Sequence, residues 1–180
     1  MGRAAGGAGL DIGRHLHKLV GQGPRTCALT QLNTIVTEVL PLLRQKADSR
    51  MCRIAVEMGS DDAAVHVDAV QLTQVILNLV SNALDASESC PPERREILVT
   101  TRPHCEKTVE LCVRDAGPGI APEALNRLFS PFFSTKSDGL GVGLRLSQTI
   151  VQAHGGSIEG YNNPDGVGAT FRVVLPAHLI

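Results

Sequence analysis

The stretch Asp68–Ser87 constrains this chain more than any other. At about 100° per residue on a helical wheel, Leu72, Val75, Ile76, Leu79 and Ala83 form one side. Leu77, Val80 and Leu84 widen that side further. A helix so apolar must be largely buried, so the rest of the chain has to supply layers that cover it. Asp68 stands where an N-cap belongs. A narrow polar stripe remains: Gln71, Gln74, Asn78, Ser81, Asn82 and Asp85. It reads equally well as a solvent-facing strip or as the lining of a polar cavity, since buried amides need partners. In the second reading Asn78 and Asn82, one turn apart, point two carbonyl oxygens at one hard cation such as Mg²⁺.

The covering layers can be read in outline. Ile12, Leu16, Leu19 and Val20 have helical spacing, ended by Gly21, Gly23 and Pro24. Leu32, Ile35, Val36, Val39 and Leu43 mark a second helix that Pro41 should kink or break. Cys52, Ile54, Val56 and Met58 alternate as in a half-buried strand, and a short strand follows at Val65–Val67. Glu96–Arg102 and Thr108–Arg114 suggest a hairpin through Pro103–Lys107. A helical turn is expected around Pro122–Phe129. A helix follows at Val142–His154, stopped by Gly155 and Gly156, then strands at Ser157–Tyr161 and Ala169–Leu175. This order predicts an α+β fold, a two-layer α/β sandwich whose mixed, mostly antiparallel sheet carries helices on one face. Residues 115–141 make a longer loop than a compact domain normally keeps, which points to a lid or binding loop.

Composition narrows the function. Among 180 residues, Lys plus Arg number 17 against 18 Asp plus Glu, a net charge of -1. A nucleic-acid binder would show a basic excess, and aromatics at 3% leave no platform for stacking bases. A small phosphate ligand stays open, because backbone amides can hold one. Cys27, Cys52, Cys90, Cys105 and Cys112 form no CxxC pair, so neither a zinc site nor a redox motif is indicated. Cys52 and Cys112 read as small core hydrophobes, and a reducing cytoplasm suits this usage. No apolar run reaches the length of a membrane span, so any tether lies outside this chain.

Two glycine motifs follow the helix. Asp115-Ala116-Gly117-Pro118-Gly119 ends a strand, where a carboxylate can accept from an exocyclic amine such as that of adenine. Gly139-Leu140-Gly141-Val142-Gly143-Leu144 opens a helix, where free amides and the helix dipole suit phosphate. Each alone is weak, and the second is not a Walker A loop. Their order is what carries weight. An Asn-x-x-x-Asn helix, Asp-x-Gly-x-Gly, then Leu128-Phe129-Ser130-Pro131-Phe132-Phe133-Ser134-Thr135-Lys136 and Gly-x-Gly-x-Gly resemble the N, G1, F and G2 boxes of sensor histidine kinases. Those kinases share an ATPase superfamily with gyrase, Hsp90 and MutL. Ile150–Gly156 and Gly168–Pro176 are likewise similar to that family, and the resemblance covers roughly residues 28–178. It looks closest to the nitrogen-regulatory and dicarboxylate-sensing kinases.

The resemblance implies a Bergerat-type ATP-binding fold that transfers the γ-phosphate of ATP to a histidine, with a response regulator as partner. It implies Asn82 as the main Mg²⁺ ligand with Asn78 assisting. Asp115 would hold the adenine amine, supported by Thr170 through water, and Gly117 and Gly119 would give the base room. Gly139, Leu140, Gly141, Gly143 and Leu144 would wrap the phosphates, and Thr135 or Lys136 would reach the γ-phosphate. Phe132 and Phe133 would anchor the lid, residues 120–140. Arg145 departs from the family's usual Ser, which affects either phosphate contacts or only the helix surface. No acceptor motif is found, since His15 precedes Leu16 and His17 precedes Lys18, not an acidic residue. Residues 1–27 therefore read as a remnant of the second dimerisation helix plus linker, and 28–180 as the catalytic domain. Two alternatives remain: an ATP-driven clamp of the gyrase, Hsp90 and MutL kind, and a degenerate nucleotide-binding regulatory remnant. The clamp hydrolases carry a Glu where this chain has Asn78, which cannot serve as a base at neutral pH.

Overall fold

The computed structural model describes residues 26–59, 64–105, 107–130 and 142–178. Among them, seven strands form one sheet: β1 (Ala28–Gln31), β2 (Arg53–Met58), β3 (Ala64–Val67), β4 (Glu96–Cys105), β5 (Thr108–Asp115), β6 (Ser157–Asn162) and β7 (Ala169–His178). Their order is β1-β3-β7-β5-β4-β2, with β6 also paired to β7. Every pairing is antiparallel except β2 with β4. The helices are α1 (Leu32–Asp48), α2 (Ala69–Ser87), α3 (Pro122–Leu125) and α4 (Gly143–Ala153).

Alternation explains the layering. Val109, Leu111 and Val113 of β5 point to one face with Ile97, Val99, Val173 and Leu175, and all are buried. They meet Leu32, Ile35 and Leu43 of α1, Leu72, Val75, Ile76 and Leu79 of α2, and Ile150 and Val151 of α4 in one core. This is the expected two-layer sandwich, with the most apolar helix, α2, at its centre. On the other face Glu110 is only 1% exposed. It pairs with Arg102, with His104 Nδ1 at 2.9 Å and with Arg172 at 3.7 Å. Burial pushes its carboxyl up, but the hydrogen bond and charge of Arg102, with lesser help from the other two partners, outweigh that and hold it below the usual range. Burial likewise lifts the Cys112 thiol, to about 11, so Cys112 packs as a small hydrophobe.

Local sequence sets the helix ends. Asp68 Oδ1 caps α2, accepting from Val70 N at 3.0 Å and Gln71 N at 3.2 Å. α4 stops at Gly155, which takes φ +73°. Just before it, His154 joins α4 to the start of α2. Its Nδ1 lies 2.8 Å from Ile150 O, and its Nε2 accepts from Asp68 N at 3.0 Å.

Three elements differ from expectation. α1 runs unbroken through Pro41; the proline and Thr37 are both exposed, so the Thr37 carbonyl that loses its partner faces water. β1 had no readable alternation, because as an edge strand it leaves Leu29 59% exposed. β4 continues past Arg102 to Cys105 across a register shift, so the hairpin turn is tighter than Pro103–Lys107.

Candidate functional site

α2 and α4 pack side by side, and Asn78 is where they interlock. Asn78 Nδ2 donates to the buried Ser147 Oγ at 2.9 Å. Gly143, one turn before Ser147, sits so close that a Cβ there would overlap Asn78 Oδ1. The amide is therefore gripped by α4 with a defined orientation, its carbonyl oxygen toward the first residue of that helix. Asn82, a turn further on, is half-buried. The polar stripe is thus neither wholly a cavity lining nor wholly a solvent strip. Asn78, Ser81 and Asn82 are half-buried and Gln74 is exposed. Asp85 is bound to Arg50, which also reaches Glu88 at 3.2 Å.

Asp115 closes the other side. It ends β5 at 4% exposure, and its Oδ1 accepts from Gly117 N at 2.8 Å and Ala169 N at 3.2 Å. Both bonds described for this side chain fall on Oδ1. Burial pushes the carboxyl above its usual range, and the two amides and the Arg114 charge only partly offset this. The two glycines that follow have causes within the protein. A Cβ on Gly117 would lie 2.9 Å from Asp115 Oδ1 and 3.0 Å from Ala86 Cβ of α2. Gly119 takes φ +80°, and its Cβ would lie 2.9 Å from Asn162 Oδ1.

Thr170 is 6% exposed, and its hydroxyl donates to Asn163 Oδ1 at 2.6 Å. Asn163 Nδ2 in turn donates to Asp115 O at 3.0 Å and Val167 O at 2.5 Å. Thr170 thus reaches Asp115 through Asn163 and its backbone carbonyl. Sequence reasoning missed Asn163, Asn162 and Gly168. Asn163-Pro164-Asp165-Gly166 fits an ordinary exposed turn, and nothing local marks its first residue as buried.

Residues 67–179 match the family described as histidine kinase-, DNA gyrase B-, and HSP90-like ATPase. The chain belongs to that family. It is 37% identical over 169 residues to the sensor protein FixL of Bradyrhizobium diazoefficiens, covering 93% of this chain and 32% of that protein. It is 34% identical over 163 residues to the C4-dicarboxylate transport sensor protein DctB of Rhizobium meliloti, covering 89% of this chain and 25% of DctB. The catalytic domain of the histidine kinase ThkA superposes with a TM-score of 0.72 at 30% identity, covering 83% of this chain and 95% of that one. The chain spans about a third or less of the length of these curated relatives. What it shares with them is the ATP-binding catalytic portion of sensor histidine kinases.

Within this family frame the remaining expected residues divide in two. Leu144 is half-buried against the core, and Arg145 is exposed with its guanidinium on Gln148 Oε1 at 2.7 Å. Thr135, Lys136, Gly139, Leu140 and Gly141 lie outside the described residues, as do Phe132 and Phe133. The first part of the expected lid is anchored: Ile120 is bonded to Asn162, and Ala124 and Leu128 are buried. No helix among the described residues is long and apolar enough to cross a membrane.

Proposed function

We propose that this domain binds ATP with Mg²⁺ and presents the γ-phosphate to a histidine outside this chain, which then passes the phosphoryl group to a response regulator. The observation that carries this reading is Asp115, a buried carboxylate with one oxygen held by two amides. An ionised carboxylate in such a place calls for a donor on the ligand. The adenine amine is such a donor, whereas guanine offers a carbonyl there and would be repelled.

The donor set also fits the metal. Ser147 holds the amine end of Asn78, so a carbonyl oxygen remains, and Asn82 adds a second from the same helix face. Bound there, Mg²⁺ would neutralise phosphate charge during transfer. Gly139, Leu140, Gly141, Gly143 and Leu144 would line the phosphates at the start of α4. Thr135 and Lys136 would contact the γ-phosphate, and Thr170 would act on the base site through Asn163. Asn78 also weighs against the clamp hydrolases, since its amide can neither take a proton from water nor leave Ser147 without breaking a buried bond. For the partner, ThkA has been solved in complex with the response regulator TrrA, and a protein of that class is proposed here.

Calorimetric titration with ADP, with and without Mg²⁺, tests this. Wild type should bind more tightly with the metal, and Asn82→Ala should lose that gain while melting near wild type, because Asn82 lies off the apolar side of α2. Wild-type binding indifferent to Mg²⁺, or an Asn82→Ala variant that binds Mg-ADP normally, would refute the metal assignment.

A further inference from the structure

Asn162 is the last residue of β6 and is exposed, whereas Asn163, the residue that follows the strand, is buried. Asn162 Oδ1 accepts from Ile120 N at 2.6 Å, and its Nδ2 donates to Ile120 O at 2.9 Å. A side-chain amide thus pairs with one residue much as a neighbouring strand would. Asn163, buried where Asn162 is exposed, donates to the carbonyl of Asp115. The segment Asp115–Ile120 is therefore pinned at its first and last residues by two adjacent side chains.

The surroundings hold Asn163 in place. Asn163 is 4% exposed, its N donates to Gly168 O at 3.1 Å, and its O accepts from Gly166 N at 2.9 Å. Asp165 of the same turn pairs with Arg114. The β5–β7 ladder ends at Arg114 opposite Thr170. Beyond that point Asn163 supplies the bond that the Asp115 carbonyl would otherwise lack. Gly168 permits it, because a Cβ there would overlap that carbonyl, and the backbone takes φ +73°.

We propose that Asn162 and Asn163 are positioning residues for the nucleotide base: by pinning both ends of Asp115–Ile120 they aim Asp115 Oδ2 and set the preference for adenine over guanine. The inference rests on Asp115 as the base acceptor. A hydrogen bond weakens steeply once misaligned, so releasing either pin should harm the contact unique to adenine. Phosphate contacts on α2 and α4 are common to both nucleotides and should change little.

The test titrates wild type, Asn162→Ala and Asn163→Ser with Mg-ADP and Mg-GDP, and records the melting temperature of each without nucleotide. Wild type should prefer ADP. Each variant should lose about tenfold in ADP affinity with GDP nearly unchanged, so that the ratio narrows by about the same factor. Asn162 is exposed, so Asn162→Ala should melt close to wild type. If Asn163→Ser fails to fold, the ratio in Asn162→Ala alone decides. An unchanged ratio, with or without an equal loss for both nucleotides, would overturn the inference and leave the pair a merely structural role. Wild type that binds neither nucleotide, or binds both equally, would instead overturn the base-binding reading, and this inference with it.

Discussion

Burial of Asp115 opposes the folding of the empty domain and favours binding of a donor. Its carboxyl is raised above the ordinary range by burial. Such a group stabilises the fold fully only below its unfolded pKa, and the contribution is lost as pH rises through the higher folded value. At neutral pH the ionised side chain therefore works against the empty fold. Asp115→Asn keeps an oxygen for the amides of Gly117 and Ala169 and removes the charge. Without nucleotide this variant should melt at or above the wild-type temperature at neutral pH, with the difference shrinking on acidification. It should also lose roughly tenfold or more in ADP affinity, the value of a hydrogen bond to a charged group. Melting curves across pH and a calorimetric titration check both halves; a variant much less stable at neutral pH would show that the amides need the charge. Asp115, Asn78 and Asn82 were legible because each sits in a short motif at fixed spacing. Gly168 and Asn163 were not, since what makes them necessary is a carbonyl about fifty positions away in the chain.

At the scale of elements, the α2–α4 pair sets the site, and His154 ties its far end. One imidazole serves an unpaired carbonyl at the end of α4 and the Asp68 N–H at the start of α2. Nε2 accepts the hydrogen bond of the Asp68 amide, so the hydrogen that reaches the Ile150 carbonyl is the one on Nδ1. His154→Leu fills similar space but strands both partners, which should lower stability by about 1–3 kcal/mol. Nucleotide affinity should fall as well, because the Asn78–Ser147 contact depends on the same helix pairing. Urea unfolding measures the first effect and calorimetry the second. A His154→Leu protein as stable as wild type would mean that water replaces the ring without penalty. α2 was legible in sequence because its period is long and its cap is Asp68. β1 was not, because an exposed edge strand carries no apolar alternation. The break that Pro41 could have caused is absent, because a proline's cost in a helix depends on which way its lost carbonyl faces.

Across the whole molecule the sandwich followed from one helix too apolar to be left uncovered, whereas the strand order depends on pairings between distant segments. The same scale decides whether this chain can phosphorylate itself. Phosphoryl transfer needs a nucleophile held in line with the γ-phosphate. His154 is bound on both nitrogens, His104 lies against Glu110 on the sheet face away from the helices, and His66 meets His178 edge to face with ring centroids 6.3 Å apart. His15 and His17 lie outside the described residues, and neither has the acidic neighbour that follows an acceptor histidine in the kinases this sequence resembles. Even slow ATP hydrolysis is not expected, with Asn78 where a base would stand. Incubated alone with radiolabelled Mg-ATP, the chain should therefore gain little or no acid-labile, alkali-stable label. Adding the acceptor-helix hairpin of a matching kinase should produce such label on the hairpin and not on this chain. Substantial label on this chain that disappears in His15→Gln or His17→Gln would place the acceptor within it and refute transfer to an outside histidine.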